Sequence, residues 1–259
     1  MAKDFQLIHL RINEERLKVA SNRLRNQFVG CMHAHNELTI LNRLLMFAMN
    51  DTGDVEPHNS AQTVQMWCVL QLLAGKLYET WVMVNERFLQ SNPPDVVGRL
   101  ESAHHDSLDW LINYFGKESA LKIIRDKTGF HYDRLNLTEA ADSLAAGENS
   151  IYLAQHPANC LYYMGSTLVF RAAFATISDK ANGAAVGSHE ERVLQGAKIA
   201  LEDASKANWH MHLLLYGLIT LLMNDVLGRP AENEQQVRIN VVDAPRPEKV
   251  GLPAFIDIG

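Results

Sequence analysis

Residues 63–90 read TVQMWCVLQLLAGKLYETWVMVNERFLQ, and their spacing decides the fold class. Trp67, Leu70, Ala74, Leu77, Trp81, Val84 and Phe88 recur at steps of three and four, the period of one helix face. Tyr78, Val82 and Leu89 form a second stripe beside the first, so this helix must pack against more than one neighbour. Asn59 followed by Gln62 offers a cap pair at its start. Pro93-Pro94 ends the region, because proline lacks the N–H and clashes with the preceding turn.

Helical periodicity continues outward in both directions. Leu17, Ala20, Leu24 and Phe28 mark a helix over Asn13–Phe28, and Leu38, Leu41, Leu45 and Ala48 mark another over His35–Met49. The two read as separate helices or as one continuous rod, with Gly30 the one breaker between them. Downstream, residues 95–114 carry a shorter helix or two. Residues 117–128 carry another, with Gly129 as its stop. Residues 136–146 form a helix with Asn136 and Glu139 as cap pair. Residues 150–164 read as a small hairpin or an irregular crossing, and 167–178 as helix. The last large helix starts at Ser188, answered by Glu191 in a capping box. Its stripe runs Val193, Ala197, Ala200, Ala204, Ala207, Met211, Leu214, Leu218, Leu221; the helix either runs unbroken to Leu227, about 60 Å, or breaks near Asn208. From Gly228 the character changes: Pro230, Pro245, Pro247 and Pro253 fall in the tail, and Val237–Val242 alternates like a strand. The expected fold is all-α: an irregular multi-helix bundle over residues 1–228, with 229–259 an extended, non-helical C-terminal tail lying over the body or over a partner subunit.

Composition agrees with a packed globular chain. Of 259 residues, 47% are hydrophobic and 21% charged, which excludes a mainly disordered protein. The formal charge of -6 disfavours a broad polycationic surface for bulk nucleic acid or anionic membrane. Cys31, Cys68 and Cys160 are odd in number and widely spaced, so they read as reduced, mostly buried thiols. The N-terminus has no apolar run like a signal peptide, and the apolar stretch Leu213–Met223 is too short to span a bilayer. The expected location is the cytoplasm, with no membrane partner.

One stretch carries chemistry. Ile123-Ile124-Arg125-Asp126-Lys127-Thr128-Gly129-Phe130-His131-Tyr132-Asp133 contains an arginine, a polar residue directly after it, and a histidine six positions on. This resembles the Arg-x(4–6)-His signature of the HEPN superfamily, over about ten residues rather than the whole chain. The resemblance implies an all-α, often dimeric protein and a metal-independent RNase or RNA-binding activity of a toxin or defence type, with no cofactor. Carried over, Arg125 binds phosphate, His131 acts as base or acid, and Asp126 orients a partner. The chemistry suits the residue types. Cleavage through the 2′-hydroxyl needs a group that titrates near neutral pH and a planar cation for the developing phosphorane charge. On one continuous α-helix, Arg125 and His131 would sit about 120° apart, so they converge only at a local bend or across a dimer axis. Residues 117–134 are also basic within an acidic protein, with Lys117, Lys122, Arg125, Lys127 and Arg134 against Glu118, Asp126 and Asp133.

Two other classes compete. A non-enzymatic helical interaction or scaffold module needs none of this chemistry. A metal-binding bundle could start from Glu101-x-x-His104 or from His33 and Glu37, but a di-iron site needs two such motifs and further glutamates. His210 and His212 are two apart and so point to different helix faces. Tyr152, Tyr162, Tyr163, Phe170 and Phe174 read as core packing rather than a base-stacking platform. The apolar stripes and the tail together lead to the expectation of a homodimer, with RNA as the ligand the resemblance implies.

Overall fold

The computed structural model describes residues 5–12, 14–50, 55–90, 96–129, 137–228 and 236–255. The fold is mostly helical, as the periodicity requires, with one two-stranded sheet. The first two helices are α1 (Glu14–Val19) and α2 (Asn22–Ala48). The break between them falls at Ser21 rather than Gly30. Ser21 caps α2 by accepting from the Leu24 N–H at 3.2 Å. Gly30 remains inside α2, where a Cβ would come within 2.7 Å of the Arg87 guanidinium. A helical glycine costs about 1 kcal/mol, too little to break a helix held by tertiary packing.

The long central helix, α3 (His58–Val84), begins one residue before the expected cap. Pro57 occupies the N-cap position, so Asn59 and Gln62 lie within the helix, and Gln62 donates to the Asn50 carbonyl instead. The helix passes into a π-helical turn, Asn85–Leu89, that buries Phe88. Next come α4 (Ser102–Phe115) and the short α5 (Ala120–Ile124), which Ser119 caps and a second π-helical turn, Arg125–Gly129, follows. Then α6 (Leu137–Asp142) and α7 (Tyr163–Asn182) precede α8 (His189–Leu227). Between α6 and α7 the crossing is irregular, holding a single bridge between Tyr152 and Leu161.

Helix α8 keeps its predicted Ser188/Glu191 capping box. It does not break at Asn208: 39 residues run without interruption, about 58 Å at the standard rise. Asn208 is buried in that helix, and its carbonyl accepts from His212 Nδ1 at 2.8 Å. Packing against α2, α4 and α7 along its length outweighs the small propensity cost of one asparagine. Leu38, Leu70, Leu77, Leu111, Ile124, Met211 and Leu218 are fully enclosed where these helices meet. Each such side chain contributes about 1.5–3 kcal/mol by leaving water. By length and composition α8 alone among the described helices could cross a bilayer, and 44% of that apolar window is buried inside the protein.

The tail holds the expected strand, β2 (Gln236–Val241), and the structure supplies a partner the sequence did not announce, β1 (Phe5–Leu10). The two are antiparallel, with Leu7 opposite Ile239 and His9 opposite Val237. Beyond β2 the chain lies on the body. Asn50 Nδ2 donates to the Pro247 carbonyl at 2.6 Å, Gln65 Nε2 donates to that of Pro253 at 2.8 Å, and His58 meets the Phe255 ring edge-on. Of the thiols, Cys31 is buried and its pKa is pushed up to about 12 by desolvation; Cys68 is exposed and Cys160 half-buried, so the expectation of mostly buried thiols holds for one of the three.

Candidate functional site

The Arg125 motif lies at the end of α5, where the ladder widens from α to π geometry. Such turns recur at functional sites because they re-aim side chains out of the regular helical array. The inner side of the segment is anchored. Ile123, Ile124 and Thr128 are buried, and Thr128 Oγ1 donates to the Ile124 carbonyl at 2.6 Å. That anchoring leaves Arg125 on the outer side, 27% exposed.

Three groups set the Arg125 guanidinium. Its Nη2 donates to Glu79 Oε1 at 2.9 Å, and its Nη1 donates to Asp126 Oδ1 at 3.1 Å. Its carbon sits 4.2 Å above the centre of the Tyr78 ring, a cation–π contact. The guanidinium plane is therefore fixed from two sides. Both carboxylates are well exposed, at 58% for Glu79 and 40% for Asp126, so neither ion pair contributes more than about 1 kcal/mol. The structure thus brings Arg125 and Asp126 together. His131, the third expected site residue, lies outside the described residues.

Sequence reasoning missed Tyr78 and Glu79 as partners of Arg125. Tyr78 was visible as part of the second stripe of α3, but nothing local tied it to a residue 47 positions away. Beside the arginine, a mostly apolar groove of about 250 Å3 runs between α2 and α3, walled by Leu41, Leu72, Gly75 and Lys76 as well as Glu79 and Arg125.

The histidines sort differently. His33 pairs with Glu37 at 3.2 Å, and Lys76 takes the other oxygen of Glu37 at 2.8 Å, so this carboxylate is already matched. His104 packs its ring over Gly217 of α8, where a Cβ would meet it at 2.6 Å. Among the described residues no three His, Cys, Asp or Glu side chains converge to hold a metal ion. His210 stacks on Trp110 at 4.5 Å, whereas His212 meets His35 at 4.8 Å and Thr39 Oγ1 at 3.0 Å, on different faces as the spacing of two requires. Burial and the neighbouring His212 hold His35 below its ordinary range, and burial does the same to His210. Phe170 and Phe174 are buried, and with Tyr163 they surround Trp67, whose ring stacks on Phe170 at 5.0 Å; these three rings serve the core, whereas Tyr162 is exposed and the Tyr152 hydroxyl donates to Glu56, so the expectation of core packing holds for three of the five.

No protein-family model, curated protein or solved structure matches the chain.

Proposed function

We propose that this chain is a HEPN-like helical protein that binds and cuts RNA without a metal ion, acting in the cytoplasm as a homodimer. The observation that carries the reading is the placement of Arg125. It heads a surface π-turn, held flat by Asp126 and Tyr78, on the segment that resembles the family signature. In this reading an RNA phosphate displaces Glu79, whose exposed pair with Arg125 is weak. Asp126 and Tyr78 keep the guanidinium oriented for bidentate contact. His131 removes the 2′-hydroxyl proton, the 2′-oxygen attacks the adjacent phosphorus, and the bond to the 5′-oxygen breaks. The 5′-oxygen takes a proton from solvent and a 2′,3′-cyclic phosphate remains. Arg125 holds the charge that builds on the non-bridging oxygens.

The expected test result is directional. Measured by fluorescence anisotropy with a single-stranded RNA, Arg125→Ala weakens binding about tenfold, the loss of one charge-assisted phosphate contact. Glu79→Gln tightens binding several-fold, because it removes the carboxylate with which phosphate competes. Equal affinities for parent, Arg125→Ala and Glu79→Gln would exclude Arg125 as a phosphate ligand.

A second reading rests on the same ion pair. With Arg125 matched by two carboxylates and the apolar groove beside it, the segment also suits a non-enzymatic helical interaction module. Unchanged RNA affinity in both variants would favour it.

A further inference from the structure

A second cleft opens where α4, α5, α7 and α8 meet, away from the groove beside Arg125. Its volume is about 570 Å3, within the range of small-molecule sites. Lysines from three separate elements line it: Lys117 beyond α4, Lys180 on α7 and Lys206 on α8. Glu118 also lines it and pairs with Lys180 at 2.8 Å. The fifth charged group of the lining is Asp203, and Glu202 at its edge pairs with Lys206 at 3.8 Å, so three lysines stand among three carboxylates.

Asp203 belongs to the floor. Its Oδ2 accepts from the hydroxyl of Tyr114, a buried side chain, at 2.8 Å. Burial and the neighbouring Glu202 push the Asp203 carboxyl above its ordinary range, while the Tyr114 hydrogen bond, Lys206 and Lys117 pull it back down. Tyr114 is itself pushed up by burial and by the Asp203 charge. Behind it, Trp110 is sandwiched between Tyr114 at 4.9 Å and His210 at 4.5 Å, which makes the wall rigid. Asp203 is half-buried there, and carboxylates held partly out of water concentrate at sites of recognition. Among the described residues the second oxygen, Oδ1, accepts no hydrogen bond.

We propose that this cleft binds a small phosphomonoester that also carries hydroxyl groups, of the size of a sugar phosphate. The lysines take the phosphate, which displaces Glu118 from Lys180 and Glu202 from Lys206, both exposed and therefore weak pairs. Asp203 accepts from the hydroxyls, with Tyr114 holding its carboxylate in place. This site stands apart from the Arg125 reading and neither depends on the other.

The test is calorimetric titration of the full chain with ribose 5-phosphate, inorganic phosphate and ribose in parallel. Ribose 5-phosphate is expected to bind at least about tenfold tighter than phosphate, with ribose alone undetected. The double variant Lys117→Gln/Lys206→Gln is expected to weaken ribose 5-phosphate at least about tenfold. Asp203→Asn, which keeps an acceptor for Tyr114, narrows the advantage of the sugar phosphate over phosphate, because phosphate itself binds more tightly once the carboxylate beside Lys117 and Lys206 is neutral. Absence of binding by ribose 5-phosphate at concentrations of about 10 mM, or binding indifferent to the lysine pair, overturns the proposal. Circular dichroism melts of each variant verify that a lost signal is not lost folding.

Discussion

Replacing Gly196 by alanine is expected to destabilise the fold by about 3 kcal/mol or more, although alanine is the best helix former. Gly196 lies on α8 where that helix crosses α7. A Cβ built there would stand 1.8 Å from the Phe174 carbonyl oxygen and 2.5 Å from its carbon. Those are backbone atoms of α7, so no side-chain rotation relieves the clash. The two helices must separate, and Phe170 and Phe174 must leave their packing on Trp67. For a chain of this size the midpoint should fall by about 6–12 °C. Gly75→Ala supplies the control. It is helical too, but nothing lies within 4 Å of its Cβ position, so it should stabilise by about 0.5–1 kcal/mol. Urea melts of both variants should therefore shift in opposite directions. A Gly196→Ala midpoint equal to the parent's would mean that α7 and α8 do not approach as closely as described.

Loss of the Arg171 side chain should cost about as much, through charge rather than volume. Arg171 is 3% exposed on the inner side of α7. Its guanidinium reaches Glu148 at 2.9 and 3.0 Å, Glu190 at 2.6 Å and the Ser143 carbonyl at 3.1 Å. Arg192, 6% exposed, continues the network to Asp179 at 3.0 Å and to Glu139. Together they clamp α6 and the crossing after it onto α7 and the start of α8. Four carboxylates face two arginines here, so removing one arginine leaves uncompensated negative charge. Breaking such a buried pair costs about 3–5 kcal/mol, and the partial exposure of Glu190 and Glu148 places this one at the lower end. Arg171→Met is the variant of choice, since it keeps most of the volume. Hydrogen exchange should rise across 137–150 before the rest of the fold. Adding Glu148→Gln and Glu190→Gln to Arg171→Met should recover much of the loss. Failure of that rescue would show that volume, not charge, holds the segment.

Much of this architecture was legible because it is local. The stripe of α3, the Ser188/Glu191 box and the alternation of β2 each follow from side chains a few positions apart. The misplacements have a common cause in tertiary contacts. Gly30 reads as the one candidate breaker, yet the Arg87 side chain, 57 residues away, packs against it within a continuous helix. Asn208 reads as a place for a break, yet it is buried within an unbroken helix. Strand β1 has six residues and pairs across more than 220 others, so no local signal marked it. The same limit governs the sites. Arg125 and Asp126 were readable as a motif, whereas Tyr78, Glu79 and the Tyr114–Asp203 floor exist only once distant helices meet. Arg171, flanked by Phe170 and the apolar run Ala172-Ala173-Phe174, did leave a trace: a charge within an apolar stripe implies buried partners.

The central claim is that the Arg125 segment acts on RNA without metal. The most direct measurement incubates purified protein with a labelled single-stranded RNA in excess EDTA, beside Arg125→Ala and His131→Ala variants shown by circular dichroism to be folded. The account predicts cleavage by the parent, 2′,3′-cyclic phosphate ends on the products, and a loss of at least about a hundredfold in either variant. Cleavage that persists in both variants, or no cleavage by the parent, would contradict it.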